Sequence, residues 1–268
     1  RRKTLVFKLI ACCLPVILLI AIELLLRAFG YGHDLRLFVQ DPDDSESLVM
    51  NRYASEKFFS NTANATIGNA ETFKKEKDPG TLRFFVLGES TTIGYPYMHN
   101  GSFHRMLQYR LMLEYPQTNI EVINLSLTAV NSFTVLDFAK KVVDLSPDAV
   151  LIYCGHNEYY GAMGAATSNE ISSNPFISGA LLILRGFRSW QLLNNVYGAL
   201  RGNAKNYDEE ESLMRRMAAG QRVPYGSAIF NKGIEQFRNN MEAVCRIFSQ
   251  RNIPVFISNL VSNEKSMA

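Results

Sequence analysis

The sequence has few of the residues that build disulfide frameworks and metal centres. Among its 268 residues, only four are cysteine and four are histidine. Cys12 and Cys13 are adjacent in an apolar run, whereas Cys154 and Cys245 stand alone, and no C-x-x-C pair occurs. This distribution fits neither a disulfide framework nor a metal site, so we interpret all four as small apolar residues and predict no metal ligands.

Glycine-rich phosphate loops are also missing. A P-loop requires G-x-x-x-x-G-K-[ST], but five residues separate Gly88 from Gly94 and no lysine follows. The dinucleotide pattern G-x-G-x-x-G is absent as well. We therefore predict no cofactor.

The excess of basic over acidic residues is confined to the N-terminal segment. Five of the 28 basic residues fall within the first 27 positions, where Glu23 is the only acid: Arg1, Arg2, Lys3, Lys8 and Arg27. Without these, 23 of the 28 basic and 24 of the 25 acidic residues remain. The main body is near neutral and gives no argument for a nucleic-acid partner.

A long apolar segment follows the basic start. It runs from Thr4 to Ala28, and its uninterrupted centre is Leu9–Ile22. A span of about 20 residues crosses a bilayer core, and basic residues mark the cytoplasmic side. We predict an uncleaved transmembrane anchor over residues 1–30, with the N-terminus in the cytoplasm and the main domain periplasmic or otherwise extracytoplasmic.

Three alternatives compete with an anchor. A cleaved signal peptide needs a small-residue cleavage site, and Arg27–Gly30 is a poor one. Leu9–Cys12 looks like a lipoprotein box, but the apolar run continues past it. The paired arginines look like a twin-arginine export signal. The anchor is favoured because both length and flanking charge agree with it.

The rest of the chain divides into a connecting segment and a larger domain. Residues 31–80 are irregular and rich in Asn, Ser and Thr, and we predict a loop-rich strap that includes short strands. Residues 81–268 form the domain. Strands are predicted at Phe84–Leu87, Glu121–Asn124, Ala149–Tyr153 and Pro254–Ile257. Helices are predicted over Phe103–Leu113, Ser132–Leu145, Leu181–Leu200 (one or two helices) and Ile234–Phe248, with a loop over Gly161–Ser178 and an exposed helical piece from Asp208 to Glu211.

This alternation predicts the fold class. Strands separated by helices form parallel sheets through crossover connections. The chain is therefore expected to be an α/β protein.

The stretch Gly88-Glu89-Ser90 ends the first predicted strand of the domain. A serine there lies at the carboxyl edge of the sheet, where open α/β sheets bind ligands. The backbone N–H groups of a following helix stabilise negative charge beside the hydroxyl, which is a setting for a nucleophile. An ordinary strand-to-helix turn with a capping serine explains the same residues.

Polar residues follow two more predicted strands. Asn124–Asn131 comes after the second strand, and Gly155-His156-Asn157-Glu158 comes after the third. The carboxyl ends of parallel strands share one edge, so these segments should converge on Ser90. A serine, backbone amides and a side-chain amide together begin an acyl-transfer site.

These three blocks, in this order and at strand ends, resemble those of the SGNH (GDSL-like) hydrolases, membrane-anchored bacterial type. The resemblance covers about 81–260. It implies a flavodoxin-like three-layer α/β/α fold and esterase, lipase or carbohydrate-deacetylase activity.

The resemblance also implies roles for single residues. Ser90 matches the nucleophile, Asn157 matches the side-chain oxyanion donor, and the family's oxyanion glycine falls on Ala129. Alanine still donates its backbone N–H unless the turn requires a positive φ. Glu89 replaces the usual Asp. His156 does not match the family's base and is interpreted as a loop or supporting residue.

The family's Asp-x-x-His motif has no match here. We expect either that the C-terminal part is missing or that the protein is a non-catalytic relative. The leading hypothesis is a membrane-anchored serine ester hydrolase acting on an acetylated glycan or a lipid. The alternative is an SGNH-like structural or accessory subunit docked, through its N-terminal helix, on other membrane-protein subunits. The lipid bilayer is an expected partner in both.

Overall fold

The computed structural model describes residues 2–167, 175–200 and 222–261. Its first element is helix α1 (Arg2–Ala28), which contains Pro15. In α1 the side chains of residues 2–7, 9, 10 and 12 are not described. Among the residues that are described, no helix is long and apolar enough to cross a membrane. The transmembrane anchor stays a prediction.

The segment predicted as a strap contains a small sheet. Strands β1 (Phe38–Gln40), β2 (Ser47–Met50) and β3 (Thr72–Lys74) pair antiparallel in that order. Two 3-10 helices, Glu56–Phe58 and Thr62–Asn64, lie between β2 and β3. The strap is joined to the core through Phe73, whose ring packs edge-on against Phe85 with centroids 5.5 Å apart.

A four-stranded parallel sheet forms the centre of the domain, as the alternation of strands and helices predicted. Its strands are β4 (Thr81–Gly88), β5 (Asn119–Asn124), β6 (Ala149–Tyr153) and β7 (Val255–Ile257), in the order β5-β4-β6-β7. Strand β5 is added on one side of β4, whereas β6 and β7 are added on the other side. Such a topological switch point opens a crevice at the carboxyl ends of the central strands.

Seven helices follow α1 in the described residues: α2 (Ser90–Ile93), α3 (Met98–Gly101), α4 (Phe103–Glu114), α5 (Ser132–Val142), α6 (Pro175–Arg185), α7 (Arg188–Leu200) and α8 (Ala228–Ser249). Helix α4 packs on one face of the sheet against Val86, Ile120 and Val122. Helices α5 and α8 cover the other face and contact each other. The domain thus has three layers, α/β/α.

Several predicted boundaries are wrong for local reasons. Helix α5 ends at Val142 rather than at residue 145, because Leu145 closes a turn onto Val142 and Ser146 has a positive φ of 54°. Helix α8 begins six residues before the predicted Ile234, because the Ser227 side chain caps it by accepting from Phe230 N at 3.2 Å.

Two further predictions concern the region before α8. The loop predicted over Gly161–Ser178 ends early, because α6 begins at Pro175, a residue favoured in a first helical turn. The exposed helical piece at Asp208–Glu211 lies outside the described residues.

Arg83 in β4 has a fully buried side chain. Its Nε donates to Glu121 Oε2 at 2.5 Å, Nη1 donates to Leu145 O at 3.1 Å, and Nη2 donates to Lys74 O at 2.9 Å. A buried guanidinium is tolerated only when it is paired and hydrogen-bonded, as here. The side chain therefore joins the main sheet to β3 of the strap and to the loop before β6.

Candidate active site

Ser90 is the first residue of α2, directly beyond the end of β4 and Glu89. Gly88 makes this turn possible, since a Cβ at that position would overlap Thr92 Oγ1 and the carbonyl oxygen of Tyr153. Gly94, with φ +97°, ends the single helical turn. Ser90 is half-buried, and within the described residues its hydroxyl makes no hydrogen bond. The hydroxyl is therefore available to a ligand at the carboxyl edge of the sheet.

Glu89 links the Ser90 turn to the loop after β6. Its buried carboxylate accepts backbone hydrogen bonds from Gly155 N at 3.0 Å and from Asn157 N at 3.2 Å. Burial raises the pKa of Glu89 to about 7, and the charge of Glu158 adds to this, although the backbone N–H groups act in the opposite direction. The Glu89 carboxylate therefore holds the backbone of the Asn157 loop beside the turn that carries Ser90.

Asn157 is buried, and its side-chain Nδ2 has no hydrogen-bond acceptor within the described residues. Leaving a buried donor without a partner costs about 1–3 kcal/mol. Such a group calls for an explanation, and a ligand oxygen at this edge of the sheet provides one. The donor predicted from the sequence thus lies on a loop held by Glu89.

Ala129 lies in the turn between β5 and α5, with a φ of +56°. This left-handed conformation favours glycine, but Ala129 adopts it at a cost in backbone strain, so its N–H keeps the direction that a glycine with this φ would give it. The turn is connected to the Asn157 loop, because Ala162 N donates to Ala129 O at 2.8 Å while Gly161 N donates to Asn157 O at 2.6 Å. All three predicted segments are therefore joined by hydrogen bonds at one edge of the sheet.

Glu158 supports this arrangement, a role that the sequence analysis missed. Its carboxylate accepts from Ser132 Oγ at 2.7 Å, from Ser132 N at 3.2 Å and from Gln236 Nε2 at 2.5 Å. Asn240 Nδ2 donates to Ser132 Oγ at 2.8 Å. Burial raises the pKa of Glu158, and the bonds from Ser132 and Gln236 oppose that rise. The group joins the Asn157 loop to the start of α5 and to α8.

The four histidines have other partners. His33 Nδ1 lies 2.9 Å from Glu56 Oε1, and its ring stacks on Tyr53 with centroids 3.8 Å apart. His156 is exposed, and its Nε2 lies 3.2 Å from Val261 O. His99 and His104 belong to a separate cluster around Glu71. Within the described part of the chain, no histidine is hydrogen-bonded to Ser90.

The Glu71 cluster has at its centre a fully buried His104, and sequence reasoning did not find it. His104 Nε2 lies 2.6 Å from Glu71 Oε1, although neither atom makes a hydrogen bond of regular geometry. Its Nδ1 contacts Ser102 Oγ and lies 3.0 Å from Asn124 Nδ2. Asn124 Nδ2 also donates to Thr92 O at 2.7 Å, so the cluster adjoins the helix that carries Ser90.

The same cluster brings three metal-ligand atoms within 4.8 Å of one another, from Glu71, His99 and His104. Hydrogen bonds already occupy the lone pairs of the two imidazole rings, which a cation would require. Arg105 Nε donates to His99 Nε2 at 2.9 Å, and Asn124 holds Nδ1 of His104 as an acceptor, which leaves the hydrogen on Nε2. Burial lowers the pKa of His99, and Arg105 lowers it further. We interpret the cluster as a hydrogen-bond network.

Comparisons with known proteins give little further information. No protein-family model matches the chain, and no curated protein matches it. Among solved structures, the esterase AlinE4 of the SGNH-hydrolase family shares 18% identity over 66% of this chain and 77% of that one, with a TM-score of 0.27. A lipase/acylhydrolase from Enterococcus faecalis shares 19% identity over 65% and 75%, also with a TM-score of 0.27. Scores this far below 0.5 support no argument about this chain.

Proposed function

We propose that the protein is a serine ester hydrolase of the SGNH type. The observation that carries this proposal is the buried, unpaired Nδ2 of Asn157, on a loop that Glu89 ties to the Ser90 turn. An amide donor without a partner, on a loop tied to the turn that carries an available serine hydroxyl, is the arrangement expected of an oxyanion site.

The reaction would proceed through an acyl-serine. Ser90 Oγ attacks the ester carbonyl carbon while its proton passes to a general base. The backbone N–H groups of Ser90 and Ala129 and the Nδ2 of Asn157 stabilise the negative oxygen of the tetrahedral intermediate. Collapse expels the alcohol, which takes up a proton, and water then hydrolyses the acyl-serine. We expect the base to come from outside the described residues, because each described histidine has another partner.

A cavity that borders the residue after Ser90 supports a lipid ester rather than an acetylated glycan as the substrate. A cavity of about 410 Å³ lies beside Thr91, the residue after Ser90. Its lining is mainly apolar: Phe103, Leu151, Ile152, Tyr153, Phe256 and Ile257. Burial of an acyl chain there contributes about 0.8 kcal/mol per CH₂ group.

The second candidate function is an SGNH-like accessory subunit without catalysis. The observation that favours it is the engagement of all four histidines with groups other than Ser90. A serine hydroxyl is a weak nucleophile without a base to accept its proton.

In both cases we propose that α1 anchors the protein in a membrane, with the α/β domain outside the cytoplasm. The basic start and the length of the apolar segment support this placement.

A fluorophosphonate probe tests the hydrolase proposal on the natural full-length protein. We expect the probe to label Ser90 and the Ser90→Ala variant to remain unlabelled while keeping its circular dichroism spectrum. Ser249→Ala is the matched control, because Ser249 is an exposed serine at the end of α8, away from the cavity beside Thr91, and should not affect labelling. Asn157→Ala should retain labelling but slow ester turnover by about 10²–10³-fold, the usual loss for one oxyanion donor.

Two outcomes would decide against this mechanism. Equal labelling of wild type and Ser90→Ala would exclude Ser90 as the nucleophile. A folded full-length protein that neither reacts with the probe nor hydrolyses p-nitrophenyl esters would leave the accessory subunit as the better account.

A further inference from the structure

Helix α6 has an apolar stripe that is exposed to solvent. The exposed residues recur at the spacing of one helix face: Phe176, Ile177, Ala180, Ile183, Leu184 and, just beyond the helix, Phe187. Ser178 and Leu182, on the opposite face, are buried. A helix on the surface of a water-soluble domain usually has one apolar stripe, which faces the core, whereas α6 packs Leu181 and Leu182 against the core and exposes a second apolar stripe.

Helix α7, which packs against α6, also exposes apolar side chains. Trp190, Leu193, Tyr197 and Leu200 follow one another at helical spacing and are exposed, Leu200 to 82%. Residues 175–200 include two arginines and no acidic residue. Exposed apolar and aromatic side chains without acidic residues are typical of a membrane-docking face.

Helix α7 is attached to α1 by a single acidic side chain. Glu23 of α1 accepts hydrogen bonds from Arg188 N at 3.1 Å, from Ser189 N at 2.9 Å and from Ser189 Oγ at 3.0 Å. These are the unpaired N–H groups at the start of α7, so Glu23 caps that helix from another element.

This attachment fixes the level of α7 along α1. Glu23 lies five residues before the end of α1, which at 1.5 Å per residue is about 7.5 Å from the end of the helix. Trp190 follows the capped N–H groups directly and therefore lies near the level of Glu23 and Arg27. If α1 spans a bilayer, charged residues at this end of the span lie at the headgroup level, where Trp and Tyr are also enriched.

We infer that the α6–α7 hairpin docks on the lipid bilayer through this apolar face, beside the exit of α1. The inference rests on the proposed anchor and not on the hydrolase activity. Lipid is favoured over a protein partner because the face continues from the exposed apolar surface of α1 at Leu24 and Leu25, and because it has no acidic residue to repel anionic headgroups.

Trp190 is the only tryptophan in the sequence, so its fluorescence reports on one position, at the edge of this face and of a cavity lined by Gly32, His33 and Leu35. The full chain would be reconstituted into vesicles of phosphatidylcholine and phosphatidylglycerol that contain lipids brominated at shallow or deep acyl positions. We expect blue-shifted emission, stronger quenching by the shallow bromines than by the deep ones, and protection from aqueous iodide. Emission typical of water with full iodide quenching would overturn the inference. Protection from iodide without bromine quenching would also overturn it, since a protein would then cover the face.

Paired variants separate docking from anchoring. Ile183→Asp with Leu193→Asp places charges on the docking face, and we expect Trp190 to lose its bromine quenching while the protein still floats with the vesicles after a carbonate wash. Met106→Asp with Tyr109→Asp is the matched control, because both residues are exposed on α4, and its quenching should equal that of wild type. Equal quenching in all three proteins would contradict the assigned face. Failure of the wild type to float would refute the anchor on which the inference rests, whereas a floating protein with a water-exposed Trp190 would refute docking alone. Ser90 labelling is a separate measurement and is unaffected by either result.

Discussion

Replacing Glu89 with glutamine tests whether a buried carboxylate holds the Asn157 loop. The pKa of Glu89 rises from an ordinary 4.5 to about 7, mainly because of burial. At 1.36 kcal/mol per pKa unit, this difference corresponds to about 3 kcal/mol. The folded state binds the proton of Glu89 more tightly than the unfolded state does. This contribution to the free energy of unfolding is therefore fully present below pH 4.5 and is lost as the pH rises through about 7.

The expected result is a difference in pH dependence. Between pH 4.5 and pH 8, the free energy of unfolding of the wild type should fall by about 3 kcal/mol more than that of Glu89→Gln, because glutamine does not titrate in this range. Urea unfolding followed by circular dichroism at several pH values measures both proteins. Glu158 and Cys154 also face Glu89, but both are retained in the variant, so the difference isolates residue 89.

The conservative change Glu89→Asp is the control. Aspartate still titrates, so it should retain a pH-dependent loss of stability that glutamine lacks. Parallel pH profiles for the wild type and Glu89→Gln would show that the carboxyl does not titrate as its burial implies. Glu89→Gln should also shift the pH profile of ester turnover if the Asn157 loop is positioned by this group, and an unchanged profile would refute that role.

Two further predictions concern the Ala129 turn and the orientation of the anchor. Ala129→Gly should lower the free energy of unfolding by about 2 kcal/mol less than Ala139→Gly does. Each change removes one buried methyl group, but glycine relieves the positive φ at position 129 and weakens helix α5 at position 139. Equal losses in urea unfolding would argue against strain at Ala129. A reporter enzyme fused after Gly30 should be active outside the cytoplasm, and activity only inside would refute the proposed orientation.

The central strands and their carboxyl-end loops were predictable because each signal is local. Apolar runs such as Ala149–Tyr153 coincide with β6, and the polar residues after β4, β5 and β6 converge because parallel strands share an edge. Ser90 and Asn157 could therefore be placed at one edge from sequence.

The supporting contacts were not predictable, because they join residues far apart in the chain. Glu71 reaches His104 from the strap, and Gln236 reaches Glu158 from α8, with no periodic pattern that marks either pair. The outward apolar stripe of α6 was hidden for a different reason. Periodicity shows that a helix has an apolar face but not whether that face is turned toward the core or away from it.

The hydrogen bonds of Arg83 make the strap an integral part of one cooperative folding unit. If β3 detached alone, Nη2 would lose the Lys74 carbonyl while the guanidinium stayed buried and paired with Glu121, and the loss of one hydrogen bond to a charged group costs about 1.5–3 kcal/mol. Local opening at β3 is thus expected to cost more than the opening of a strand that makes no such bond to the main sheet. The connection between α1 and the α/β domain is therefore not a flexible tether, and a displacement of the anchor helix would be transmitted to the sheet that carries Ser90.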